Sequence, residues 1–123
     1  MPSVYINDDF CDFYMAELPP AQQQVAAPFD LGVVGPNRSG RIVAGVPPGE
    51  TEIPRADCNG TECAFIADGI FPFFAPTSGG KPMELRSFRI PPGVLHDRVN
   101  TAELLADRPV DFTWLELDLD AAE

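Results

Sequence analysis

The sequence predicts an all-β domain, and three features carry that expectation. Fourteen Pro and ten Gly are spread through all 123 residues instead of being pooled in a tail. Punctuation of that kind divides a chain into many short segments joined by turns, which opposes a helix bundle. From Pro28 onward, seven short segments rich in Val, Ile, Leu and Phe alternate with Gly or Pro breaks. In the last of them, Leu115, Leu117 and Leu119 alternate with Glu116 and Asp118, as in a strand with one buried and one wet face. That many short strands imply a sandwich or barrel.

Taken in order, residues 3–7 read as a short strand. Across 8–18, Phe10, Phe13, Tyr14 and Glu17 fall at helical spacing behind two aspartates, so a short helix is expected. Pro19-Pro20 ends it, and the Gln-rich stretch 21–27 is a polar connector. Residues 1–27 thus form an N-terminal arm, and 28–123 the barrel. Strands are expected over 29–35, 40–46, 50–54, 62–68, 70–75, 84–90 and 111–119, with a helical turn or loop at 101–107. Phe71, Phe73 and Phe74 put rings on both faces of one strand, which points to a subunit contact and a homo-oligomer. Lys81 reads as a solvated loop tip.

Composition narrows the function classes. Nineteen acidic against eight basic residues give a net charge of −11. Phosphate repulsion makes nucleic acid and anionic membrane surfaces poor partners. No apolar run approaches the roughly 20 residues that span a bilayer. The opening MPSVYINDDF lacks the basic and apolar regions of a secretory signal, so the expected location is cytoplasmic. An apolar fraction of 45%, with nine Phe, suffices for one globular core.

Cys11, Cys58 and Cys63 are odd in number and contain no CxxC pair, so neither a disulfide framework nor a thiolate zinc site is expected. Buried packing is the expected role of each. Asn59-Gly60-Thr61 matches a glycosylation sequon, yet Asn-Gly is also the favoured two-residue hairpin turn, and it is read as one here.

One constellation carries chemical information. Pro91, Gly93, His96 and Asn100 match Pro-x-Gly-x-x-His-x-x-x-Asn, which resembles the second motif of the cupins. Upstream, Gly49, then Arg55-Ala56-Asp57, then Glu62 and Gly69 reproduce the spacing of the first cupin motif, with Arg55 and Asp57 where that family places histidines. Glu62–Ala67, Phe73–Pro76, Gly80-Lys81-Pro82 and Leu85–Phe88 look like segments of ureidoglycolate lyase-type cupins. The resemblance implies a cupin-type double-stranded β-helix, or jelly-roll barrel, behind the N-terminal arm.

It also implies a site. Cupins converge three His and one Glu on a divalent metal, and the corresponding set here is Arg55, Asp57, Glu62 and His96. A guanidinium cannot ligate a cation. Asp57, Glu62 and His96 would therefore form a one-His, two-carboxylate site suited to Fe or Mn. Without metal, the same residues would bind a small polar carboxylate: Arg55 as anchor, His96 as acid–base group and Glu62 as its partner. Lyase or isomerase chemistry on a ureido or hydroxy acid would follow. The other reading is a non-catalytic structural or interaction subunit, such as a virion or assembly component. In that reading Arg55, Asp57 and Glu62 form an ion pair, and His96 merely sits at a turn.

Overall fold

The computed structural model describes residues 10–16, 22–35, 37–74 and 82–120. They form eight strands: β1 (Phe10–Ala16), β2 (Gln22–Asp30), β3 (Gly40–Val46), β4 (Arg55–Cys58), β5 (Thr61–Phe74), β6 (Pro82–Ile90), β7 (Val99–Val110) and β8 (Trp114–Asp120). All ladders are antiparallel, in the order β1-β8-β3-β6-β5-β4-β7-β2. Read as two four-strand layers, 1-8-3-6 and 5-4-7-2, this is jelly-roll order, with the β5–β6 ladder joining the layers. The terminal strands β1 and β2 lie near one another without a shared ladder, so the barrel is nearly closed. No helix is found among the described residues, and hence none long and apolar enough to cross a membrane.

Period-2 alternation fills the interior. From the first layer come Ile42, Ala44 and Val46 of β3, Phe88 and Ile90 of β6, and Leu115, Leu117 and Leu119 of β8. From the second come Val25, Ala27, Phe29, Ala56, Cys58, Cys63, Ala102, Leu104 and Ala106. The two layers meet in this one apolar cluster. Val34, Leu95 and Phe112, from the connections, join the same cluster.

Expectation and structure diverge at identifiable places. Residues 10–16 are a strand and not part of a helix, because the free edge of β8 offers a ladder that pairs Tyr14 with Leu117 and Ala16 with Leu115. Aromatic residues suit that setting, and tertiary pairing overrides the helical spacing. The connector at 22–27 is the first part of β2, which runs across the expected arm–barrel boundary. Pro28 is tolerated there because β2 ends the sheet. Residues 50–54 are irregular, and 101–107 are strand, held between β2 and β4. Segments 62–68 and 70–75 are one long strand to Phe74. The expected strand at 3–7, the loop tip at Lys81 and the ring directions of Phe71, Phe73 and Phe74 lie outside the described residues and side chains.

The largest correction concerns β8. Leu115, Leu117 and Leu119 are buried as expected, but Glu116 and Asp118, assigned to a wet face, are only 3% and 0% exposed. Arg41, Val43, Leu85 and Ser87 are buried too, so the outer side of the β8-β3-β6 layer is also covered. A charged residue in an alternating pattern identifies the face opposite the core; it does not establish that this face meets water.

Gly40 is required by close approach. A Cβ there would collide with the backbone carbonyl of Asp118 on the paired strand. Gly40→Ala is expected to cost about 3 kcal/mol or more by overpacking, measured by urea denaturation.

Candidate functional site

The hairpin β4–β5 carries three of the four site candidates. Its turn is Asn59-Gly60, with φ of 51° and 84° at the two central residues, the type I′ geometry that Asn-Gly favours. The turn sets the register, pairing Asp57 with Glu62 and Ala56 with Cys63. Ala56, Cys58 and Cys63 belong to the core, so Arg55, Asp57 and Glu62 alternate onto the outer face. There Arg55 Nε donates to Asp57 Oδ1 at 2.9 Å and lies 3.9 Å from Glu62 Oε1. The hydrogen bond to Asp57 raises the pKa of Arg55, and the nearby charges of Asp57, Glu62 and Glu103 act the same way. Glu103 on β7 is in register with Asp57 and accepts from Gln24 Nε2 at 2.6 Å. One guanidinium is thus set among three carboxylates on an outer sheet face.

His96 lies elsewhere, in the exposed connection between β6 and β7. Its ring Nδ1 is 3.1 Å from the carbonyl of Asp97, and its backbone N–H donates to Asn100 Oδ1 at 3.0 Å. Among the described residues, no three His, Cys, Asp or Glu side chains come together as metal ligands would. Arg55, Asp57 and Glu62 are brought together, and His96 is not grouped with them.

The fully buried Asn100 is what the second motif builds around. Its Oδ1 accepts from His96 N–H and from Asn59 Nδ2, at 3.0 and 2.8 Å. Its Nδ2 donates to the carbonyls of His96 and Arg98, at 2.8 and 3.1 Å. Asn59 completes the junction by donating to the Val94 carbonyl and accepting from Thr101 N–H. Gly93, at φ 86°, and Arg98, at φ 74°, supply left-handed backbone, the latter held by reciprocal bonds with Gly32 and Leu31. The Asp97 carboxylate accepts from Val34 N–H and Gly35 N–H, which pull its pKa below the usual range. Together these bonds tie the 31–35, 59–60 and 91–100 connections into one end of the barrel.

The far end is closed by a second polar cluster that the sequence did not single out. Arg86, buried at 4% exposure, donates to the carbonyls of Glu50, Glu52 and Leu85. Arg108 pairs with Glu50 and lies 3.9 Å from Glu52. Glu50 is held below its ordinary pKa: burial raises it, but hydrogen bonds from Glu52 N–H and from Arg108 outweigh that. The Glu50-x-Glu52 pair and Arg86 of β6 carry no spacing signal, so only the fold could reveal this clasp.

Comparison with protein-family models and with curated proteins finds no match for this chain.

Cys58 and Cys63 are free and buried, as expected; Cys11 has no described side chain. Burial pushes their thiol pKa values up to about 12 and about 11. Thiolate is the reactive form, so both should resist a thiol reagent at pH 8 until the barrel unfolds, as followed by peptide mass mapping. Asn100→Ala is expected to cost about 2–4 kcal/mol, because it strands buried partners in a network. His96→Ala should cost no more than about 0.5 kcal/mol, since its bonds to Asn100 are made by backbone. Urea midpoints compare the two.

Proposed function

We propose that this chain is a non-catalytic jelly-roll module, a structural or interaction subunit that works through its outer faces and assembles with copies of itself. One observation carries the reading. The inward positions of the two motif-bearing hairpin strands, Ala56, Cys58 and Cys63, belong to a continuous apolar cluster. The polar residues that a cupin would aim inward are therefore on the outside. A cupin centre needs its ligands inside the barrel, and this interior is occupied by side chains.

Two further observations favour the same reading. Arg55 is already engaged by Asp57, with Glu62 and Glu103 nearby, so an incoming substrate carboxylate would meet a negative surface. Asn100 and Gly93 are accounted for by the turn they build, which leaves His96 without a carboxylate partner among the described contacts. Jelly rolls serve both cupins and assembly subunits, so strand order alone does not choose, and the site must. Exposed Ile66, beside half-exposed Phe65 on β5, gives such a subunit an apolar element at its surface.

The small-molecule reading makes a competing forecast. A ureido or hydroxy acid at a hundred times its Kd, alone or with Mn²⁺ or Fe²⁺, would stabilise the fold by about 2.7 kcal/mol. Thermal melting with such acids is expected to show no stabilisation. Sedimentation equilibrium is expected to show self-association that Ile66→Lys weakens. Saturable stabilisation that disappears in both Arg55→Ala and His96→Ala would overturn the proposal. So would a chain that stays monomeric at all concentrations.

A further inference from the structure

The covered outer side of β8 holds a group of polar side chains with no part in the site above. Glu116 and Asp118 are two residues apart on one face of the strand, and both are buried. Asp118 Oδ2 accepts from Arg41 Nε of β3 at 2.8 Å. Glu116 Oε1 accepts from Trp114 Nε1 at 2.8 Å. The two carboxyl groups thus neighbour each other on one buried face, and Asp118 Oδ1 is buried with no hydrogen-bond partner. Two ionised carboxylates facing each other there would leave an unsatisfied acceptor and a surplus negative charge, both costly out of water.

We propose that Glu116 and Asp118 form a buried acid pair holding one proton at neutral pH, carried on Glu116 and donated to Asp118 Oδ1, and that losing it loosens β8 from its neighbours. The proton supplies the missing donor and leaves one carboxylate opposite one guanidinium. Among the described residues, none donates a hydrogen bond to Asp118 Oδ1. On β3, Arg41 faces Asp118 and Val43 is in register with Glu116. On β6, Ser87 pairs with Val43, while Arg89 pairs with Asp120 at 3.2 Å. On β8 itself, Trp114 bonds to Glu116, and Asp120 accepts from Ser39 Oγ. On β1, Phe13 and Met15 are the residues registered with Asp118 and Glu116.

The pKa of Glu116 points the same way: burial and then the Asp118 carboxylate push it from 4.5 to about 8, against the Trp114 hydrogen bond and the Arg41 charge. A folded-state pKa above the unfolded value means that the folded chain binds more protons between those limits. Stability from this pair is therefore fully present below about 4.5 and is lost as pH rises toward about 8.

The test compares urea unfolding of the full chain and of Glu116→Gln from pH 5 to pH 9. The Gln amide can donate to Asp118 at every pH. The wild-type folding constant is expected to fall by up to about tenfold per pH unit relative to the variant. Trp114, the only Trp, reports the same event, with a fluorescence change near pH 8 absent from the variant. Parallel stability curves would overturn the proposal. Should Glu116→Gln fail to fold, the infrared carbonyl band of a protonated carboxyl in the wild-type chain decides. Its presence at pH 6 and its loss near pH 8 in folded protein support the pair, and its absence at pH 6 overturns it.

Discussion

The interior of this barrel holds one apolar cluster of side chains, which β2 to β8 supply from alternate positions. Two sheets pack about 10 Å apart, so there is depth for one interdigitated set and no more. Ile42, Phe88, Leu115 and Leu117 enter it from the first sheet, and Phe29, Ala56, Cys58, Ala102 and Leu104 from the second. Arg55 and Asp57 lie outside because Ala56 and Cys58 are inside. Asn59 and Asn100 close one end, and Arg86 with Glu50 and Arg108 closes the other.

How far the fold could be read depended on whether a segment's own residues or its neighbours decide its conformation. β3 was legible to the residue, since Arg-Ile-Val-Ala-Gly-Val between glycine and proline has no alternative to a buried strand. The leucines of β8 were legible for the same reason. By contrast, 10–16 and 101–107 are compatible with a helix in isolation, and only the strands beside them select extended backbone. The wet face assigned to β8 failed for a different reason. Alternation gives the phase of a strand, while exposure depends on whether something covers the second side, which no local pattern encodes.

The same distinction governs the site. The two-residue turn expected at Asn59-Gly60 sets the register that brings Glu62 opposite Asp57, whereas the strand Arg55–Cys58 itself was expected at 50–54. Spacing is silent about which face is inward. The decision rests on Ala56, Cys58 and Cys63, whose small apolar side chains outcompete a charged trio for the interior. The Arg86 clasp and the Glu116–Asp118 pair went unread because their partners are 34 to 77 residues away in the chain or lie on a face presumed wet.

At 91–100 the Pro, Gly and Asn of the motif each shape the connection between β6 and β7. Pro-x-Gly turns the chain, and Gly93 takes positive φ to do so. Asn100 then closes the loop because its amide can both accept from and donate to the backbone of His96, four residues earlier. Those requirements come from the return of this chain from β6 to β7 over the Asn59 turn. They constrain the Pro, Gly and Asn positions and leave the position of His96 nearly open, since only its backbone is used. A histidine there is compatible with catalysis and with none. The burden of a functional assignment therefore falls on what faces His96, and the carboxylates offered by the first motif are directed by the core onto an outer face.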